Sequence, residues 1–203
     1  MTKKKVMVFD FDGTLVKSEW YVRYVSRDYL SKENLKIFNR EGFPGLLAQK
    51  KISMFQLLNL LRKGRNEWIK YLDKFEVVEE LKDVLLEMKK KGWILGLLTS
   101  NKMRNVKAVF EKYNWDFFDF YYSGLDIFGK DKVILKMLKD KGFDKEEVIY
   151  VGDEIRDVEA CNKIGIKMIG VTWGYNSKKS LKKADYLVDT PTDFRKLVLS
   201  LSQ

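Results

Sequence analysis

Apolar residues along this chain follow two periods. Residues 6–9, 93–98 and 148–151 are short runs that are apolar on both faces and bounded by turn or charged residues, a pattern that predicts buried parallel strands. Residues 117–122, 167–171 and 186–188 read as further strands. Between these runs the apolar positions recur every three or four residues. They predict helices over 79–91, stopped by Gly92, over 102–113, over 130–141, closed by Gly142, and from 154 to Ile164, ended by Gly165. Alternation of this kind predicts an α/β fold with a doubly wound, mostly parallel sheet.

One stretch breaks the alternation. Trp20, Tyr21, Tyr24, Val25 and Leu30 recur at helical spacing, followed by Leu35 and Phe38 and then by Phe55, Leu58 and Leu61, with almost no β-branched alternation. Glu41-Gly42-Phe43-Pro44-Gly45 reads as a turn between two of these helices. The expected organisation is therefore a small all-helical insertion over 16–81, set after the first strand of a core formed by 1–15 and 82–203.

Composition narrows the chemistry. With 45% hydrophobic and 14% aromatic residues the chain has ample material for a packed interior. No apolar stretch approaches the roughly 18 residues that span a bilayer, and the lysines before residue 6 do not make a signal peptide because Asp10 and Asp12 cut the apolar run. No membrane association is expected. The single cysteine, Cys161, excludes an internal disulfide and fits a reducing cytoplasm. It shares an apolar face with Ile155, Val158 and Ile164 and reads as a small core residue. The net charge of +10 is spread through insertion and core alike, so no basic module for nucleic acid is expected. Lys178, Lys179, Lys182 and Lys183 form the densest cluster and read as a solvated face, as do Arg62, Lys63 and Arg65 beside Gly64. The aromatic run from Trp115 to Tyr122 has no interleaved basic residue and reads as core. Histidine is absent, which leaves carboxylates, lysine and hydroxyls to do chemistry.

Those groups stand at strand ends. The first strand runs into Asp10-Phe11-Asp12-Gly13-Thr14-Leu15, the strand over 93–98 into Thr99-Ser100-Asn101, and the strand over 148–151 into Gly152-Asp153-Glu154-Ile155-Arg156-Asp157. In a parallel sheet these three ends share one edge, where open α/β sheets bind ligands. Asp153 and Asp157 are four apart, so a helical start puts both on one face. Gly129-Lys130 opens a helix ahead of them.

The four segments resemble, in order, the motifs of the haloacid dehalogenase (HAD) superfamily, and Val171-Thr172-Trp173-Gly174-Tyr175 is similar to its phosphoglycolate-phosphatase-like members. The resemblance implies a HAD-type Rossmann-like core with a C1-type helical cap. It implies that Asp10 is a nucleophile and that Asp12 moves protons to the leaving group and from the attacking water. Thr99 would donate to a phosphoryl oxygen, with Ser100 the next candidate because a one-residue shift of the strand end exchanges them. Asn101 is a further substrate-binding candidate, or a cap of the following helix. Lys130, favoured over Lys132 by its place at the helix start, would pair with Asp10 and phosphate oxygens. Mg²⁺ would be held by Asp10, Asp153 and the Asp12 backbone carbonyl, and by Asp157 directly or through water. Glu154 and Arg156 read as solvated or supporting groups. Lys17 departs from the aspartate of many relatives, which bears on the cap more than on the chemistry. The implied activity is Mg²⁺-dependent hydrolysis of a small phosphorylated metabolite through an aspartyl-phosphate, with phosphoglycolate suggested. A phosphomutase, or a noncatalytic phosphate-binding protein on the same scaffold, are the alternatives. The sequence is silent on oligomeric state.

Overall fold

The computed structural model describes residues 4–124 and 129–201, and of 28–29 and 38–44 the backbone alone. The chain divides into two compact units, Met1–Lys17 with Phe75–Gln203, and Ser18–Lys74. It begins with β1 (Val6–Phe9), whose four side chains are all buried. A tight loop leads to β2 (Val16–Lys17), which pairs antiparallel with β3 (Glu76–Val77). The helical unit between these two strands is shorter than the segment 16–81, because the ribbon and the residues after it belong to the sheet unit: the Val78 amide donates to the Leu15 carbonyl.

Within the helical unit stand α1 (Glu19–Tyr29), α2 (Lys32–Ala48) and α3 (Met54–Glu67), followed by a 3₁₀ stretch at Trp68–Lys74. Ser53 and Gln56 form a capping box that starts α3, and Leu57, Leu60 and Gly64 line its buried side. The Tyr21 hydroxyl donates to the Gly64 carbonyl at 2.7 Å. The turn expected at Glu41–Gly45 is not there; α2 runs straight through it. Gly42 and Pro44 weaken a helix by about 1 and 3 kcal/mol. That cost is offset by Ile37 and Leu46, which bury with Leu30 in a separate small cluster and anchor the helix on both sides of the break.

The sheet unit continues with α4 (Leu81–Lys90), β4 (Ile94–Thr99), α5 (Met103–Tyr113) and β5 (Phe120–Ser123). It then adds α6 (Lys130–Lys141), β6 (Val148–Gly152), α7 (Ile155–Ile164), β7 (Lys167–Val171), β8 (Tyr186–Val188) and α8 (Pro191–Leu201). Six strands lie in the order β5-β4-β1-β6-β7-β8, and every neighbouring pair is parallel. Helices cover both faces. Val6, Val8, Tyr150 and Met168 meet Ile134 and Met137 of α6 and Val158 and Cys161 of α7. On the opposite face Phe9 meets Phe194 of α8 and Phe118 edge-on, and Phe11 meets Phe110 of α5. Each such apolar side chain taken from water contributes roughly 1.5–3 kcal/mol.

Differences from the sequence reading are local. Cys161 is buried in the core, but Ile155, expected on its face, is 44% exposed at the start of α7. Of the run from Trp115 to Tyr122 expected in the core, Trp115, Phe117, Phe118 and Phe120 are buried, while Tyr121 and Tyr122 on β5 are half-buried. Helix α8 had no counterpart in the periodicity. Its start was nonetheless written in Thr190-Pro191: the Thr190 hydroxyl accepts from the Asp193 amide at 3.1 Å, and proline suits a first helical position. Among the described residues no helix is long and apolar enough to cross a membrane.

Candidate active site

The strand order reverses at β1, which lies between β4 and β6 with the two halves of the sheet winding away from it. A crevice at the carboxyl ends of strands forms at such a switch point. Asp10 is the first residue past β1. Its amide donates to the Val151 carbonyl at 2.9 Å, continuing the pairing with β6, and its Oδ1 accepts from the Phe11 amide at 2.9 Å. The side chain is held on the sheet edge before any partner arrives.

Three carboxylates meet there. Asp10, Asp153 and Asp157 each place one oxygen within 4.8 Å of the other two, and all three are buried. Lys130, from the first turn of α6, donates to Asp10 Oδ2 at 3.0 Å and ion-pairs with Asp157 Oδ1. One ammonium thus serves two acids. Burial raises the Asp10 carboxyl above its usual range, against the lowering pull of Lys130. Burial likewise raises Asp153 strongly, helped by Glu154, Asp10 and Asp157, and raises Asp157 to about 7 against Lys130. Burial works against the Lys130 ammonium, but Asp10 and Asp157 outweigh it and hold that group well above its ordinary value. Tyr150, on β6, brings its ring within 5.1 Å of the same ammonium, and burial pushes its phenol well up.

Asp153 is tied on both oxygens. Thr14 Oγ1 donates to Oδ1 at 2.9 Å and the Tyr175 amide donates to Oδ2 at 2.7 Å. Trp173 Nε1 in turn donates to the Thr14 carbonyl at 3.0 Å, so the loop after β7 clamps the loop after β1. The clamp leaves no room for side chains. A Cβ on Gly13, which has φ +82°, or on Gly174 would lie 2.2 Å from Asp153 Oδ2.

Asp12 stands outside the three-carboxylate cluster, with its Oδ2 accepting from Asn101 Nδ2 at 3.0 Å. Thr99 is the last residue of β4 and is buried; its hydroxyl oxygen accepts from the Asn101 amide at 2.9 Å. Ser100 is half-buried in the following turn. Lys132 is exposed and Lys130 buried, which separates the two lysines. Phe128, which precedes Gly129-Lys130 in the sequence, lies outside the described residues. Glu154 caps α7 and pairs with Arg156 at 2.6 Å. The four strand-end and helix-start segments therefore bring Asp10, Lys130, Asp153 and Asp157 into one cluster, with Asp12 held beside Thr99 through Asn101. Thr14, Asn105, Tyr150 and the Trp173–Tyr175 loop were not singled out as site residues from sequence. The Trp-Gly-Tyr triplet after a strand end was the available signal.

The donor set fits a divalent cation. Three buried carboxylates face one lysine, and burial disfavours their charged forms, so an added hard cation with oxygen preference relieves the excess negative charge.

Such a sheet and such a carboxylate edge agree with what the chain resembles. Residues 7–171 match the haloacid dehalogenase-like hydrolases, and the chain belongs to that family. It is 27% identical over 208 residues to a phosphoglycolate phosphatase from Synechococcus elongatus, covering 97% of this chain and 98% of that one. It is 26% identical over 204 residues to a phosphoserine phosphatase from Methanocaldococcus jannaschii, covering 92% and 93%. The crystal structure of a predicted phosphatase from Clostridium acetobutylicum superposes with a TM-score of 0.80 at 22% identity over 98% of this chain and all of that one, which shows a common fold.

Proposed function

We propose that this hydrolase is a Mg²⁺-dependent phosphatase that cleaves a small phosphate monoester through an aspartyl-phosphate on Asp10. The observation that carries the reading is the meeting of Asp10 with Lys130, Asp153 and Asp157 at the switch point of the sheet. Asp10, Asp153 and Asp157, with the Asp12 carbonyl, would hold Mg²⁺, which supplies neutralisation of phosphoryl charge when bound.

The protein's own groups divide the reaction. An Asp10 carboxylate oxygen attacks phosphorus, the bond from phosphorus to the ester oxygen breaks, and Asp12 gives that oxygen its proton. Asp12 then takes a proton from water as the water oxygen bonds to phosphorus, releasing phosphate and restoring Asp10. Lys130 pulls Asp10 toward its ionised form, against burial, and offsets repulsion between a carboxylate and an anionic substrate. The Thr99 hydroxyl hydrogen is available to a phosphoryl oxygen because its oxygen already accepts from Asn101. The helical unit Ser18–Lys74, within the 16–81 insertion, is proposed as the cap that selects the substrate and excludes water. The two relatives act by name on phosphoglycolate and on phosphoserine, so small carboxylated phosphate esters are the first to try.

The test is phosphate release from p-nitrophenyl phosphate, phosphoglycolate and phosphoserine, with Mg²⁺, with EDTA, and with Asp10→Asn. Release that needs both the metal and Asp10 is expected. Full activity in Asp10→Asn would overturn the mechanism; a bisphosphate-dependent isomerisation without net release would make the protein a mutase.

A further inference from the structure

Asn101 makes a set of contacts that the proposed chemistry has not used. It is buried, and its side-chain amide has two ends with different partners. Nδ2 donates to Asp12 Oδ2 at 3.0 Å. Oδ1 accepts twice, from the Lys102 amide at 2.8 Å and from Asn105 Nδ2 at 2.9 Å. An amide can be turned end for end with little change of shape, so its direction is set by its partners. Here a carboxylate at one end and two N–H donors at the other allow one direction only: reversal would aim the carbonyl at Asp12 and the NH₂ at two donors.

We infer that Asn101 is a positioning residue for Asp12, orienting its carboxyl for proton transfer, and that Asn105, in the first turn of α5, fixes the direction of the Asn101 amide. The inference rests on the reading of Asp12 as the group that hands the leaving oxygen its proton. Asn101 sits too far from a helix-capping geometry to be explained that way. Lys102 is the residue that precedes α5, and Asn101 Oδ1 meets the amide of Lys102 and not those of the first helical turn. Asn105 is wholly buried, and an uncharged polar pair placed there gives no gain in core packing over an aliphatic one. Its contact with Asn101 is a reason for an amide at that place.

The consequence is selective. A misplaced proton donor hurts esters whose leaving group is a poor one, such as an alkoxide, and spares p-nitrophenolate, which departs without a proton. General-acid help is worth about 10²–10⁴-fold, so losing its alignment should remove roughly tenfold or more of it. A fold defect or a smaller active fraction lowers both substrates alike. The quantity to read is therefore the loss in kcat/KM on an alkyl phosphate divided by the loss on p-nitrophenyl phosphate, since kcat/KM stops at the first irreversible step and omits the shared hydrolysis of the aspartyl-phosphate.

The experiment compares Asp12→Asn, Asn101→Leu and Asn105→Ala on p-nitrophenyl phosphate and on phosphoglycolate, with phosphoserine in its place if that is the better alkyl substrate. Asp12→Asn is expected to show the largest ratio, Asn101→Leu a ratio of about ten or more, and Asn105→Ala a smaller ratio in the same direction. If Asn101→Leu does not fold, Asn105→Ala carries the comparison, because it leaves Asn101 in place with one donor fewer. A ratio near one for Asp12→Asn would overturn the role given to Asp12. A large ratio for Asp12→Asn beside ratios near one for Asn101→Leu and Asn105→Ala would overturn this inference alone.

Discussion

In the absence of divalent metal, the stability of this protein should fall as pH rises through neutrality. Asp10, Asp153 and Asp157 are buried, and burial raises all three carboxyls, Asp157 to about 7. A carboxyl raised on folding contributes stability that is complete below its unfolded value, 3.8 for aspartate, and is lost as pH climbs through the folded value. For Asp157 alone the loss between about pH 5 and pH 8 amounts to roughly 2–3 kcal/mol. Asp10 and Asp153 act in the same direction. Lys130 does not oppose the trend: its ammonium is raised, so its contribution is intact across this window and goes only at higher pH. The carboxylates held low by lysines, Glu33, Asp131, Asp140 and Asp189, have largely lost their protons in both states by pH 5 and add little slope. Urea unfolding in EDTA at several pH values reads the trend directly. The midpoint should drop steadily toward pH 8, excess Mg²⁺ should restore it most at the alkaline end, and Asp157→Asn should flatten the slope by its share. Stability that rises with pH in EDTA, or that Mg²⁺ lifts equally at both ends, would refute the electrostatic account of the cluster.

Other perturbations test single contacts. Gly174→Ala puts a methyl 2.2 Å from Asp153 Oδ2 and should cost about 1–3 kcal/mol by urea unfolding, with phosphate release reduced more than stability explains. Lys130→Met leaves Asp10 and Asp157 facing each other without a cation; at neutral pH in EDTA the loss should be about 3–5 kcal/mol, and turnover should vanish even with Mg²⁺ present. Cys161 is buried and its thiol is pushed up by burial, so a thiol reagent should label nothing in the native protein and one group per chain in urea.

The sheet was legible because each strand carries its own signal. Val6–Phe9 and Val148–Gly152 are apolar on both faces, a pattern that points to the inside of a parallel sheet. Helices α6 and α7 end at Gly142 and Gly165 in the left-handed region, as their sequences announce. The break expected at Gly42 and Pro44 shows the limit of local rules. Propensity counts what a residue costs in an isolated helix, and Leu46 and Ile37 repay that cost through contacts with Leu30, which lies on another helix boundary altogether. The two-residue strands β2 and β3 are beyond any periodicity; Val16 and Val77 become a pair only when the chain returns after the whole helical unit.

The same division runs through the site. Asp10, Thr99 and Asp153 are readable because a polar residue that ends an apolar strand has one place to go in a parallel sheet. The groups that hold them are not so constrained. Asp153 is fixed by the Tyr175 amide, a backbone donor that every residue but proline carries, and the need for that approach surfaces in sequence only as Gly174. Asn105 is an asparagine in the first turn of α5, a residue type common on solvated faces; burial against Asn101 is what makes it informative, and burial is a property of the packed fold. Polar residues that end apolar strands, Asp10, Thr99 and Asp153, are therefore legible in sequence, whereas the groups that hold them are written into contacts between elements. The aiming set, Asn101 and Asn105 for Asp12 and the Trp173–Tyr175 loop for Asp153, is where a structure adds most to a motif.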